Sequence, residues 1–112
     1  MHREINSIRK EIEKNNERLS SLHQEFEEMK QAEKEFAFLL KQDEQFLFEL
    51  SFKMKGSSID KFLSSSYSDL EQRAELTKKA LAECYERNHN ESKKILAQVE
   101  LLNIEYHELT KK

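Results

Sequence analysis

Apolar residues in the first half of the chain recur at alternating steps of three and four, without a slip. Such a rhythm averages about 3.5 residues and keeps one stripe of a helix turned toward a partner helix. Only Asn15, Glu33 and Asp43 interrupt the stripe with polar side chains. The spacing therefore predicts one helix over residues 2–54. Its apolar stripe comprises Ile5, Ile8, Ile12, Leu19, Leu22, Phe26, Met29, Phe36, Leu40, Leu47, Leu50 and Met54.

A second amphipathic segment follows Gly56, the only glycine of the chain. Glycine suits a helix C-terminus because it adopts the left-handed conformation without steric penalty. Ser57 and Asp60 then fit a capping box, with Ser57 as the N-cap. We therefore predict a turn at 55–58 and a helix over 59–110. Two polar runs, 64–66 and 88–90, interrupt this helix. Either run could contain a bend or delay the start of the helix, and the first could extend the loop to about Ser66. The second stripe comprises Leu70, Ala74, Leu81, Cys84 or Tyr85, Ile95, Val99, Leu102, Tyr106 and Leu109.

A short turn between two long helices makes them antiparallel neighbours. The expected fold is all-α, a single coiled-coil-like helical hairpin over residues 1–112. Folding at Gly56 pairs positions whose numbers sum to about 113, which places Phe26 opposite the segment 81–88. Polar residues within a helical interface commonly fix its register. We expect this role for Asn15, Glu33, Asp43 and Asn88.

The last third of the first helix carries more apolar residues than one interface can bury. On a helical wheel with Phe36 at zero, three phenylalanines fall at about 120, 160 and 200 degrees, far from the stripe. Exposed apolar patches usually mark interaction sites, so we expect a protein partner near the turn. Self-association into a four-helix bundle is the open alternative. The predicted protein-binding residues are Phe38, Phe46, Phe48, Phe52, Met54 and Phe62, and a weaker version of the pattern involves Leu96, Leu101 and Ile104.

Charge and hydropathy narrow the choice of partners. The chain of 112 residues has 22 acidic and 19 basic side chains and a formal net charge of −3. Without a basic field we expect no nucleic-acid partner, and without a long apolar run we expect no membrane span. The N-terminus lacks the apolar segment of a signal peptide. We therefore expect a cytoplasmic protein, with any co-export following a signal-peptide-independent route.

Candidate chemistry is sparse. A single cysteine, Cys84, excludes an intramolecular disulfide. Glu86 and His89 have the Glu-x-x-His spacing of di-iron bundles, but those sites need a second such pair. Neither a nucleophile elbow nor a phosphate-binding glycine loop is present. We expect no enzyme activity, no metal and no cofactor.

Three lysines, Lys53, Lys55 and Lys61, cluster around the predicted turn. A phosphate or lipid role is one interpretation of such a cluster. A solvated loop is the interpretation favoured by the sequence, because three interspersed lysines fall short of the usual polybasic segment.

The turn sequence from Met54 to Phe62 resembles that of the small WXG-type helical hairpins exported by type VII (ESX) secretion systems. Gly56 matches the family's glycine and Phe62 matches an aromatic residue that often follows it, whereas Met54 stands where the family has tryptophan. The resemblance covers the chain length, the helix-turn-helix plan and about nine turn residues. It is greatest to the small helical partners of LXG-domain toxins.

That resemblance implies a function. Such partners bind the long N-terminal helical domain of the toxin and help to present it to the secretion machine. The family's export signal is Tyr/Phe-x-x-x-Asp/Glu after the second helix. Tyr67 and Glu71 have this spacing, but they lie near the start of the second helix. Near its end, the position four residues after Tyr106 is Thr110 instead of an acidic residue, so the signal is absent there. The resemblance therefore implies a chaperone-like adaptor for an LXG-type toxin or for a second small helical protein. A homodimeric structural coiled coil without a secretion role is the alternative.

Overall fold

Two long α-helices joined by residues 54–56 form the computed structural model, which describes residues 4–111 except for the side chain of Ser57. Helix α1 spans Ile5–Lys53 and helix α2 spans Ser57–Thr110. Within the described residues no strand is present. The predicted all-α helical hairpin is confirmed.

Helix α1 begins and ends with hydrogen bonds that extend beyond its helical residues. The carbonyl of Glu4 accepts bonds from the N–H groups of Ser7 and Ile8, at 3.0 and 3.2 Å. Residues 2 and 3, which we predicted to be helical, lie outside the described residues. Met54 was predicted to be the last helical residue. It follows the end of α1 at Lys53, although its N–H still donates to the carbonyl of Leu50 at 3.0 Å.

The connection reverses the chain in fewer residues than predicted. Gly56 has a φ of +144°, in the region that favours glycine. Its carbonyl accepts the first bond of α2, from the N–H of Asp60 at 3.0 Å. Gly56 is therefore the N-cap, and the prediction of Ser57 as the N-cap and Ile59 as the first helical residue was wrong. The backbone freedom of one glycine makes a longer turn unnecessary.

Helix α2 is continuous through both polar runs, 64–66 and 88–90. Neither a delayed start nor a loop extending to Ser66 is present. A serine costs only a few tenths of a kcal/mol in a helix. Burial of the neighbouring Leu63 and half-burial of Leu70 offset that cost.

The chain divides into two compact units. Unit 1 comprises Met1–Glu28 with Tyr85–Lys112, and unit 2 comprises Met29–Cys84. Both helices contribute to each unit. The core of unit 1 contains Ile8, Leu22, Ile95 and Leu102.

Polar and aromatic contacts join α1 to α2 within unit 1. The ring centroids of Phe26 and Tyr85 lie 5.5 Å apart in an edge-to-face arrangement, which confirms the expected pairing of Phe26 with the segment 81–88. The side-chain amide of Asn88 donates to the carbonyl of Leu22 at 2.8 Å. This bond fits the register-fixing role predicted for Asn88.

Two arginines of α1 also contact α2 within unit 1. The Arg18 guanidinium lies 2.7 Å from the Glu91 carboxylate, and this hydrogen-bonded pair raises the pKa of Arg18 above its ordinary value. Arg9 donates to the hydroxyl of Tyr106 at 3.2 Å and lies over its ring. The pairs join early residues of α1 to late residues of α2, as an antiparallel hairpin requires.

The core of unit 2 is built from Leu47, Leu63 and Ala74. In α1 every described residue that is buried or half-buried belongs to the predicted stripe. The stripe residues Glu33 and Asp43 are nevertheless exposed, because a carboxylate without a partner loses too much hydration energy on burial.

Candidate protein-binding surface

Four phenylalanines of α1 are more than half exposed to solvent in unit 2. The exposed fractions are 62% for Phe38, 61% for Phe46, 56% for Phe48 and 67% for Phe52. Three of them, Phe38, Phe48 and Phe52, lie far from the packing stripe, as the helical wheel predicted, and Phe46 lies at its flank. We call these four residues the aromatic surface.

Two of these phenylalanines contact each other. The ring centroids of Phe48 and Phe52 are 4.8 Å apart, with an interplanar angle of 78°. The hydroxyl of Ser51, between them in sequence, donates to the carbonyl of Phe48. The edge-to-face contact favours one arrangement of the two rings, which lowers the side-chain entropy lost on binding.

A groove of about 750 Å³ runs beside Phe48 between α1 and α2 of unit 2. We call it the Phe48 groove. Its apolar lining residues are Leu40, Phe48, Tyr67, Leu70 and Ala74. Its polar lining residues are Lys41, Glu44, Gln45, Glu71, Glu75 and Lys78. An apolar floor with a charged rim fits the apolar face and polar flanks of an amphipathic helix.

A smaller groove of about 230 Å³ contains Phe46 and also belongs to unit 2. We call it the Phe46 groove. Asp43, one of the exposed stripe residues, lines it, and so do Asp69 and Arg73. Phe46 and Phe48 therefore line two different grooves.

The other predicted site residues of unit 2 lie at the turn. Met54 and Phe62 are 49% and 54% exposed, and neither lines the Phe48 or the Phe46 groove. Gly56 and Asp60 form the start of α2 as described above. Their role is structural, and they take no part in the aromatic surface.

Sequence reasoning missed two exposed residues of α2, Tyr67 and Leu76. Tyr67 falls about 60 degrees from Leu70 on the helical wheel, which is close enough to the stripe to be taken as its edge. No large apolar residue lies three or four positions from Leu76, so no local periodic pattern marks it. Only the placement of α1 beside α2 shows that Tyr67 and Phe48 line one groove.

The exposed large apolar residues of unit 1 are aliphatic. A groove of about 500 Å³ there is lined by Leu101 and Leu102 among mostly polar residues. Leu96, Leu101 and Ile104 are exposed, as predicted. All three are aliphatic, so unit 1 lacks the aromatic anchors found at α1 of unit 2.

Comparison of the chain with protein-family models, curated proteins and solved structures gives no match. None of the described helical residues forms a stretch apolar and long enough to cross a membrane. Among residues 4–111, no three metal-ligating side chains come together.

Proposed function

We propose that this chain is a non-catalytic adaptor that binds another helical protein through unit 2. The observation that carries the proposal is the aromatic surface, whose four phenylalanines are each more than half exposed. A few buried residues carry most of the binding energy at protein interfaces, and aromatic residues are enriched in the interface core. Burial of this surface by a partner would contribute to the driving force.

Partner helices are proposed to lie along the Phe48 and Phe46 grooves. Phe48 and Tyr67 would act as anchors in the first groove, and Phe46 in the second. A helix docks in such a groove through residues at positions i, i+3, i+4 and i+7. The added helices would extend the two-helix packing into a bundle.

The partner we propose is the N-terminal helical domain of an LXG-type toxin of a type VII secretion system. Support comes from the resemblance of the turn, from Met54 to Phe62, to the turn of WXG-type hairpins. It also comes from the two-helix plan and from Gly56, whose positive φ lies at the position of the family's glycine. The chain would act as a targeting factor, made in the cytoplasm and bound to a toxin that carries the export signal.

Copurification tests this proposal. The tagged chain is expressed in its native host, and an LXG-domain protein is expected to copurify with it. The variant Phe48→Asp/Phe52→Asp is expected to lose this protein, whereas the control Leu101→Asp, on the exposed surface of unit 1, is expected to retain it. Equal retention by both variants, or the absence of any LXG-domain protein with the wild type, would contradict the proposal.

A homodimeric structural coiled coil without a secretion role is the second candidate. The rim of the Phe48 groove favours it, because the rim contains both lysines (Lys41, Lys78) and glutamates (Glu44, Glu71, Glu75). Such a mixed rim allows one copy to pair with another by opposite charges. Light scattering separates the candidates. A stable dimer that Phe48→Asp/Phe52→Asp converts to a monomer, with no other helical protein bound, supports this second function.

A further inference from the structure

We propose that the turn end of unit 2 binds the surface of an anionic phospholipid bilayer. The surface concerned, which we call the basic tip, consists of Lys53, Met54, Lys55, Lys61 and Phe62. It combines two features that peripheral membrane binding requires: cations for the lipid phosphates and apolar side chains for the interfacial layer.

The first feature is charge. Lys53, Lys55 and Lys61 are all exposed. No carboxylate of residues 4–111 forms an ion pair with any of the three. Asp60 is the only acidic residue between positions 50 and 68, although the whole chain has a formal net charge of −3. The basic tip is therefore locally positive on an acidic protein, which complements an anionic surface.

The second feature is exposed apolar surface at the same place. Met54 follows the last residue of α1, and Phe62 lies near the start of α2. Helical side chains lean toward the helix N-terminus, so Phe62 leans toward the turn. Methionine and phenylalanine beside lysines are suited to shallow insertion at the headgroup boundary. The three lysines, which the sequence alone assigned to a solvated loop, thus have apolar neighbours that are exposed with them.

A bilayer fits the basic tip better than a soluble ligand or a docked helix does. Neither Met54 nor Phe62 lines the Phe48 groove or the Phe46 groove, so a helix lying in either groove leaves them uncovered. A free phosphate would use the lysines and leave the apolar side chains in water. A bilayer contacts both, and the contact is peripheral because no described helix can cross a membrane. The inference goes beyond the proposed adaptor function and uses different residues.

Vesicle cosedimentation tests the inference with the full chain. Wild-type protein is expected to sediment with phosphatidylcholine–phosphatidylglycerol vesicles and not with pure phosphatidylcholine vesicles. The variant Lys53→Gln/Lys55→Gln/Lys61→Gln is expected to bind the mixed vesicles roughly fivefold more weakly for each lysine removed. Its control, Lys10→Gln/Lys93→Gln/Lys94→Gln, changes the net charge equally on exposed lysines of unit 1 and is expected to bind like the wild type.

The apolar contribution is tested with Met54→Ser/Phe62→Ser. The control is Leu96→Ser/Leu101→Ser, whose residues are somewhat more exposed. Only the first variant is expected to lose binding. Unchanged circular dichroism of the variants shows that each has folded. The inference is overturned if the wild type does not sediment, if it binds phosphatidylcholine equally well, or if tip variants match their controls. Such an outcome leaves the copurification result untouched, so failures of the two proposals are distinguishable.

Discussion

The hydrogen bond between Asn88 and Leu22 offers a quantitative test of how unit 1 is held together. The side-chain amide of Asn88 is half-buried and donates to the Leu22 carbonyl at 2.8 Å. Leu22 itself is 1% exposed, so this bond lies against the core. Replacing Asn88 with alanine removes the bond between the two helices and leaves both helices intact.

The expected cost is the net value of one hydrogen bond. Within α1 the Leu22 carbonyl also accepts the regular helical bond from residue 26, so it stays bonded after the substitution. The loss is therefore about 0.5–1.5 kcal/mol, without the larger penalty of an unsatisfied group. Alanine has a higher helix propensity than asparagine by about 0.6 kcal/mol. The measured effect of Asn88→Ala alone is consequently small, and a matched control is needed.

Asn90→Ala provides that control, because Asn90 is exposed two positions further along the same helix. Urea denaturation followed by far-ultraviolet circular dichroism gives the free energy of unfolding of each variant. Asn90→Ala is expected to be stabilised by its helix propensity alone. Asn88→Ala is expected to be less stable than Asn90→Ala by about 1 kcal/mol. Equal free energies for the two variants would refute the assignment of a stabilising bond to Asn88.

Further predictions concern the turn and the core of the hairpin. Gly56→Ala is expected to lower the free energy of unfolding by about 1–3 kcal/mol. Backbone strain alone would cause this loss, because a Cβ at position 56 meets no atom within 4 Å. Urea denaturation measures the free energy of unfolding. In the same assay Leu22→Ala is expected to cost about 2–5 kcal/mol, whereas Leu76→Ala, at 69% exposure, changes stability by at most about 0.5 kcal/mol. A double-mutant cycle on Phe26 and Tyr85 is expected to give a coupling of about 0.5–1.5 kcal/mol from their edge-to-face contact.

The apolar rhythm of the sequence predicted which face of α1 is buried, because a coiled-coil-like interface follows directly from the spacing of side chains along a helix. The same rhythm identified Asn88 as a polar residue of the second stripe. The helical wheel also placed Phe38, Phe48 and Phe52 away from the stripe. These features depend only on helix geometry, which local sequence specifies.

Other features depend on how two segments meet, and periodicity could not predict them. The start of α2 at Ser57 follows from the backbone conformation of Gly56, whereas the capping pattern favoured Ser57 as the N-cap. The joint lining of the Phe48 groove by Phe48 and Tyr67 follows from the positions of two helices. No single residue in the sequence predicts the division into two compact units. In the structure, residues 30–35 of α1 are all exposed at the point where unit 2 begins.

The exposed area of the aromatic surface also limits what kind of partner can bind it. Its phenylalanines are 56–67% exposed, so a partner recovers more than half of the burial energy of each, roughly 4–7 kcal/mol for all four. Association itself costs about 4–15 kcal/mol in lost translational and rotational freedom. Burial of the four rings therefore offsets the cost of association only at the lower end of its range.

Phe46 and Phe48 lie about 160 degrees apart around α1. We therefore expect a single helix to occupy only one of the two grooves and to recover only part of this energy. A partner that presents two helices can cover both grooves, together with the exposed Tyr67. We therefore expect a partner's helical hairpin or bundle to bind measurably in calorimetry, and an isolated helix from the same partner to bind far more weakly. Equal affinity of the isolated helix and the whole domain would show that one groove carries the interaction.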